Sequence, residues 1–305
     1  MIGVIALPHL AKHHFVPWSY LRYFAIDPKA PRKTSTIHMW DKRAHVERIQ
    51  KTDSVQCYVR GQNTVSGLPD PEFYEKRYAE VDVALGEVIR LLLQTLRQAS
   101  PDSAFNPKNK DMLAQHIMLL FKRQPTVLRD ALTKTENAID IVKETMRAEY
   151  KGFLPTPKLE SLLASKSTKQ YALELSMELV GNGAEALRNK VWVYCRNETD
   201  VPFVTSDYPL CPQFIPSYND KGMADPGCVF FFPIAPDALI YMIDSVHFLP
   251  NQKEYFDNAI EPIHNRDFVL MANHLQHSTC TRQIYSNETL TPEIYAHPDE
   301  IENGM

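Results

Sequence analysis

His13 and His14, Arg123, Asp207 and Asn273 come from four segments of the chain, each lying beside a block of apolar residues. A polar site assembled inside one cleft is written this way in a sequence. Imidazole titrates near neutral pH and can take or give a proton. A guanidinium neutralises charge that builds on a phosphoryl group, and a carboxylate can orient the imidazole. The set suits metal-independent phosphodiester cleavage, with His13 or His14, Arg123 and Asp207 as the catalytic groups. Ser206, Asn273 and Arg282 are the accompanying candidates for binding substrate.

The same residues have an equally physical structural reading. One histidine can pin a backbone carbonyl, and a buried Arg needs an anion that the protein itself can supply. Ser206 and Asp207 before Pro209 are favoured turn residues, and Asp207 can simply accept backbone N–H groups. Adjacent side chains on extended chain point to opposite faces, so only one of His13 and His14 is expected to face a site. Asn273, if buried, must bond another polar group.

Other chemistries fit less well. His9 and His13 have metal-ligand spacing only on a helix, which Pro8 and Pro17 limit, and His274 with His277 is a pair without a third ligand. The five cysteines are scattered, odd in number and without a CxxC pair, which suits reduced thiols better than a disulfide framework or a zinc site. Ser206, Asp207 and His14 supply the residue types of a Ser–His–Asp triad, but no GxSxG elbow is present. Neither GxGxxG nor GxxxxGK[ST] occurs, so no cofactor is expected.

The elements that must position these groups are legible from periodicity. Ser35 to Gln50 alternates apolar and polar residues around Asp41-Lys42-Arg43, as a two-stranded hairpin does. From Pro71 to about Ala99, apolar residues recur at threes and fours, which predicts a long amphipathic helix. A second helix is expected from Asn109 to Arg123, ended or kinked by Pro125, with further helices over 126–150 and 157–181, the last closed by Gly181-Asn182-Gly183. Beyond Lys190, short apolar runs at 191–195, 202–205, 228–233 and 238–243 read as buried strands. Asn265 is placed to cap a last helix through His277, and 281–286 reads as a final strand.

Lys12-His-His-Phe-Val-Pro-Trp-Ser-Tyr-Leu-Arg-Tyr-Phe24 resembles the HHYVPxFYLRxF opening signature of the domain of unknown function 4238 family. Later blocks resemble that family in order: Gln115 to Arg129 with Arg123-Gln-Pro125, Trp192 with Pro202 to Pro209, Phe231 to Pro236, and Asn273 through Arg282 to Ser286. Trp18 and Ser19 depart from the usual polar–aromatic pair, and Tyr208 stands where the family tends to have Asn. The resemblance covers about residues 9–287 and implies blocks, not a reaction.

The expectation is an α+β fold in which a central helical group packs on a mixed β-sheet made of N-terminal and C-terminal strands. Residues 1–287 are expected to form one domain and 288–305 an acidic C-terminal tail. The functional expectation is a nuclease or nucleotide-directed phosphodiesterase in a toxin or defence setting. The alternative is a non-catalytic module that uses the same polar cluster to recognise a ligand or protein. Nucleic acid, a nucleotide or a protein are the partners considered. With 33 basic against 37 acidic residues the chain has no overall attraction for polyanions. The apolar N-terminus is too short for a signal peptide and no run is long enough to span a bilayer, so a cytoplasmic location is expected.

Overall fold

The computed structural model describes residues 11–53, 57–98, 107–149, 167–216, 222–249 and 252–295. The chain opens with a short strand β1 (Lys12–His14), helix α1 (Trp18–Leu21) and the hairpin β2 (Thr36–Asp41) and β3 (Val46–Lys51). Strand β4 (Tyr58–Arg60) returns to pair with β1, antiparallel. Helices α2 (Phe73–Gln98), α3 (Pro107–Lys122), α4 (Pro125–Glu149), α5 (Thr168–Glu178) and α6 (Val180–Arg188) follow. The remainder is β5 (Val191–Asn197), β6 (Thr205–Ser206), β7 (Cys211–Phe214), β8 (Cys228–Ala235), β9 (Ala238–Ile243), α7 (Lys253–Phe256), β10 (Ile260–Ile263), α8 (Arg266–Thr279), β11 (Gln283–Ser286) and α9 (Pro292–Tyr295).

The fold is α+β, but its strands divide between two larger sheets instead of forming one. The four-stranded sheet runs β3-β2-β11-β6 and joins the N-terminal hairpin to C-terminal strands, as expected. The five-stranded sheet, β10-β5-β9-β8-β7, is built wholly from the second half of the chain and is parallel only between β10 and β5. Its three inner strands, β5, β9 and β8, are apolar on both faces, and side chains that alternate along each strand supply both. Trp192 and Tyr194, Phe230 and Phe232, Ile240 and Met242 join the core made with α2, α3 and α6. Their neighbours Val193, Val229, Phe231 and Leu239 face the other way, against Val269 and Ala272 of α8.

Several expectations are corrected. Gly181-Asn-Gly183 does not end a helix: the chain bends at Leu179 and continues as α6. Gly183 is needed for close approach instead, since a Cβ there would fall within van der Waals overlap of the buried Met118 side chain of α3. Pro125 does not merely end α3 but occupies the first turn of α4, where a missing N–H costs nothing. The tail boundary at 288 falls too early, because α9 packs on α8 and Tyr295 is buried against Trp40 and His277. Of the helix expected over 157–181, residues 157–166 lie outside the described residues, as do 296–305 of the tail. The run 202–205 forms only the two-residue strand Thr205–Ser206, while β1, β4, β7 and β10 carry too few apolar residues to have signalled themselves.

Candidate functional site

Strand β1 sets the first two histidines apart by alternation. His13 faces inward and is buried, while His14 faces the other way and stays half-exposed. The backbone N–H of Asn63 donates to His13 Nδ1 over 2.8 Å, which assigns the ring proton to Nε2, and Nε2 lies 2.6 Å from Glu72 Oε2. His13 therefore pins the N-terminal segment. His14 stacks edge-on to Tyr58 at 5.7 Å and has no hydrogen bond from either ring nitrogen among the described residues. Burial lowers its pKa below the ordinary 6.5, and Arg32, Arg123 and Lys12 push in the same direction.

Pro17 precedes α1, whose spacing sends Tyr20, Leu21 and Phe24 into the core. Tyr20 is held there by its hydroxyl, which donates to Pro233 O at 2.7 Å and meets Thr205 Oγ1 at 2.6 Å. The opposite face, Trp18, Ser19, Arg22 and Tyr23, is turned toward α2. Ser19 Oγ donates to Asp82 O and Tyr23 Oη to Gly86 O, so two hydroxyls fasten α1 to that helix. Gly86 permits the approach, since a Cβ there would lie 2.9 Å from Ser19 Cβ.

Between these elements lies a cleft of about 440 Å³. Its α1 side carries His14, Trp18, Arg22 and Arg32, and its α2 side Glu75, Asp82 and Glu87. The guanidinium carbons of Arg22 and Arg32 lie 4.9 and 5.7 Å from the Trp18 ring, within cation–π range. Neither arginine has a carboxylate partner among the described residues. The carboxylates are each partnered: Glu75 accepts from Asn63 Nδ2 at 2.8 Å, Asp82 meets Arg123 at 2.7 Å, and Glu87 accepts from Arg90 Nε at 3.0 Å. Burial raises the pKa of Glu75 and of Asp82.

Arg123 stands behind this cleft. It is buried, pairs with Asp82, donates from Nε to Phe15 O at 3.1 Å and lies over Tyr78 at 5.7 Å. Its anion is thus the protein's own. Asp207 is elsewhere: its carboxylate accepts the backbone N–H groups of Thr281, Arg282 and Gln283 at 2.8, 2.8 and 3.2 Å, tying the end of β6 to β11. Burial pushes its pKa up to about 6 while those three donors pull it down. Ser206 donates to Gln276 Oε1 and accepts from Tyr208 N, so it makes no contact with His14. Asn273 accepts from Val204 N and donates to Pro202 O. Arg282 forms a two-pronged pair with Asp41, at 2.9 and 2.7 Å.

The expected convergence of His, Arg and Asp is therefore corrected to two separate networks. His13, His14 and Arg123 gather around α1 and α2, whereas Ser206, Asp207, Asn273 and Arg282 knit α8, β6 and β11 together and do not line the cleft. No grouping of three His, Cys, Asp or Glu side chains that could hold a metal ion occurs among the described residues. Sequence reasoning passed over Trp18, Arg22, Arg32, Glu75, Asp82 and Glu87. The available signal was the helical spacing of Glu75, Ala79, Asp82 and Gly86, a stripe of small and acidic residues beside the apolar one.

A strand-paired histidine doublet, a one-turn helix laced to a long one and a buried arginine at the end of the next frame a polar cleft on an α+β scaffold. The chain matches the family described as "Protein of unknown function (DUF4238)" over residues 12–289, and it belongs to that family. No curated protein and no solved structure matches it. Among the described residues no helix is long and apolar enough to cross a membrane.

Proposed function

We propose that the cleft between α1 and α2 is a phosphoester site, and that the protein is a nucleotide-directed phosphodiesterase in which His14 is the proton acceptor. The observation that carries this reading is the cationic wall of the cleft. Arg22 and Arg32 flank Trp18 with no carboxylate partner among the described residues, beside a half-exposed imidazole whose pKa is held low. Guanidinium groups so placed neutralise charge on a phosphoryl oxygen, and a neutral imidazole is the form that accepts a proton. In the hydrolytic step, water loses a proton to His14 as its oxygen bonds to phosphorus. The ester P–O bond breaks, and the leaving oxygen takes a proton from solvent. Arg123 holds His14's segment in place and leaves contact with substrate to Arg22 and Arg32.

Hydrolysis of a chromogenic phosphodiester, followed against pH, tests this. His14→Ala is expected to lower kcat/KM by at least about 100-fold. Because the charged imidazole is the inactive form, the wild-type rate rises with pH as His14 loses its proton. Its acid limb should be centred below the ordinary 6.5. Turnover that survives in His14→Ala, or an acid limb above that value, would sink the assignment. A recognition module is the second reading, favoured by the internal partners that hold His13 and Arg123. It is the outcome if phosphoesters bind the wild-type protein and are never turned over.

A further inference from the structure

The cleft has a polarity that bears on the size of its ligand. One wall presents the guanidinium groups of Arg22 and Arg32, and the facing wall presents Glu75, Asp82 and Glu87 from a single helix. Each of those carboxylates commits one oxygen to an internal partner: Glu75 Oε2 to Asn63, Asp82 Oδ1 to Arg123 and Glu87 Oε2 to Arg90. The second oxygen of each has no protein partner among the described residues, and each side chain retains exposure, 25, 22 and 63% respectively. Carboxylate oxygens accept hydrogen bonds and repel phosphates, so a chain of phosphates cannot follow this groove without meeting like charge. The formal charge of −4 adds nothing that would offset the repulsion.

Resting on the phosphoester reading of the cleft, we infer that its ligand is a small nucleotide carrying one phosphate and one base, not a polynucleotide. Arg22 and Arg32 take the phosphate. The free carboxylate oxygens of the α2 wall take the exocyclic amino and ring N–H donors of the base, as acidic side chains do with cytosine amino groups. The volume of about 440 Å³ lies in the range of small-ligand pockets.

Calorimetric titration of the full chain with guanosine monophosphate, cytidine monophosphate, ribose 5-phosphate and a short single-stranded RNA separates the possibilities, run at about 50 and about 200 mM salt. The base-bearing monophosphates are expected to bind at least about tenfold more tightly than ribose 5-phosphate. The RNA should bind no more tightly than they do. Glu87→Gln, an exposed position that poses no folding problem, should narrow the gap between nucleotide and ribose phosphate. RNA binding that is tighter than any mononucleotide and falls steeply with salt overturns the inference and leaves the phosphate seat standing. Equal binding of nucleotide and ribose phosphate also overturns it. If no phosphate-bearing probe binds, the phosphoester reading fails with it.

Discussion

Arg123 and Asp207 are both buried charges, and their surroundings show how differently a protein can accommodate one. Arg123 is neutralised by a carboxylate, Asp82, and by a carbonyl, whereas Asp207 is solvated by three consecutive backbone N–H groups. Removing either should cost stability. Arg123→Ala leaves Asp82 without its counter-ion and frees Phe15 O, which should destabilise by about 3 kcal/mol in urea unfolding. Asp207→Asn turns an N–H₂ donor toward N–H donors, and should cost about 1–3 kcal/mol. Unchanged unfolding midpoints in both variants would contradict this structural assignment. The sequence could name these residues as unusual because each sits beside apolar blocks. It could not say which partner each would find, since Asp82 lies 41 positions from Arg123 (123 less 82) and Thr281 lies 74 from Asp207.

At the scale of elements, the cleft exists because α1 lies close against α2. That closeness depends on Gly86, whose missing side chain leaves room for Ser19. Gly86→Val places methyl groups where Ser19 Cβ and its carbonyl oxygen stand, and the neighbour at fault is near backbone that cannot swing away. The substitution favours helix in isolation, by roughly 0.5 kcal/mol. Here it should instead destabilise by about 1–3 kcal/mol and weaken phosphate binding in the cleft together. A variant that melts like wild type and binds phosphate normally would show that the α1–α2 distance is not what sets the site. The long helices were legible because their apolar stripes persist over many turns. The four-residue α1 was not, since it is shorter than one period-based window and is held by tertiary hydroxyl bonds instead of its own propensity.

For the whole molecule, the N-terminal segment is part of the main core. Val16, Tyr20, Leu21 and Phe24 are essentially inaccessible and pack with α2, β8 and β11. Each such side chain contributes about 1.5–3 kcal/mol on burial, against a total stability of roughly 5–15 kcal/mol for a folded domain. Deleting residues 1–25 should therefore leave no cooperatively melting soluble protein, and a sharp thermal transition in that truncation would refute the claim.

The sequence by itself determined what depends on neighbours within a few residues. The hairpin at 36–51, the long helices, the cap at Asn265 and the doubly buried strands β8 and β9 all follow from periodicity and local hydrogen bonding. It also determined that His13 and His14 face opposite ways, because alternation along a strand is a local property. Only the tertiary structure decided which polar residues share a space. That choice rests on pairings between distant strands and helices, where burial forces each charge to accept whichever partner the packing brings within about 3 Å. Arg123 thus went to Asp82 and Asp207 to a run of backbone amides, while Arg22, part of the opening signature, and Arg32, which no local pattern marks, lie beside Trp18 with no carboxylate partner among the described residues.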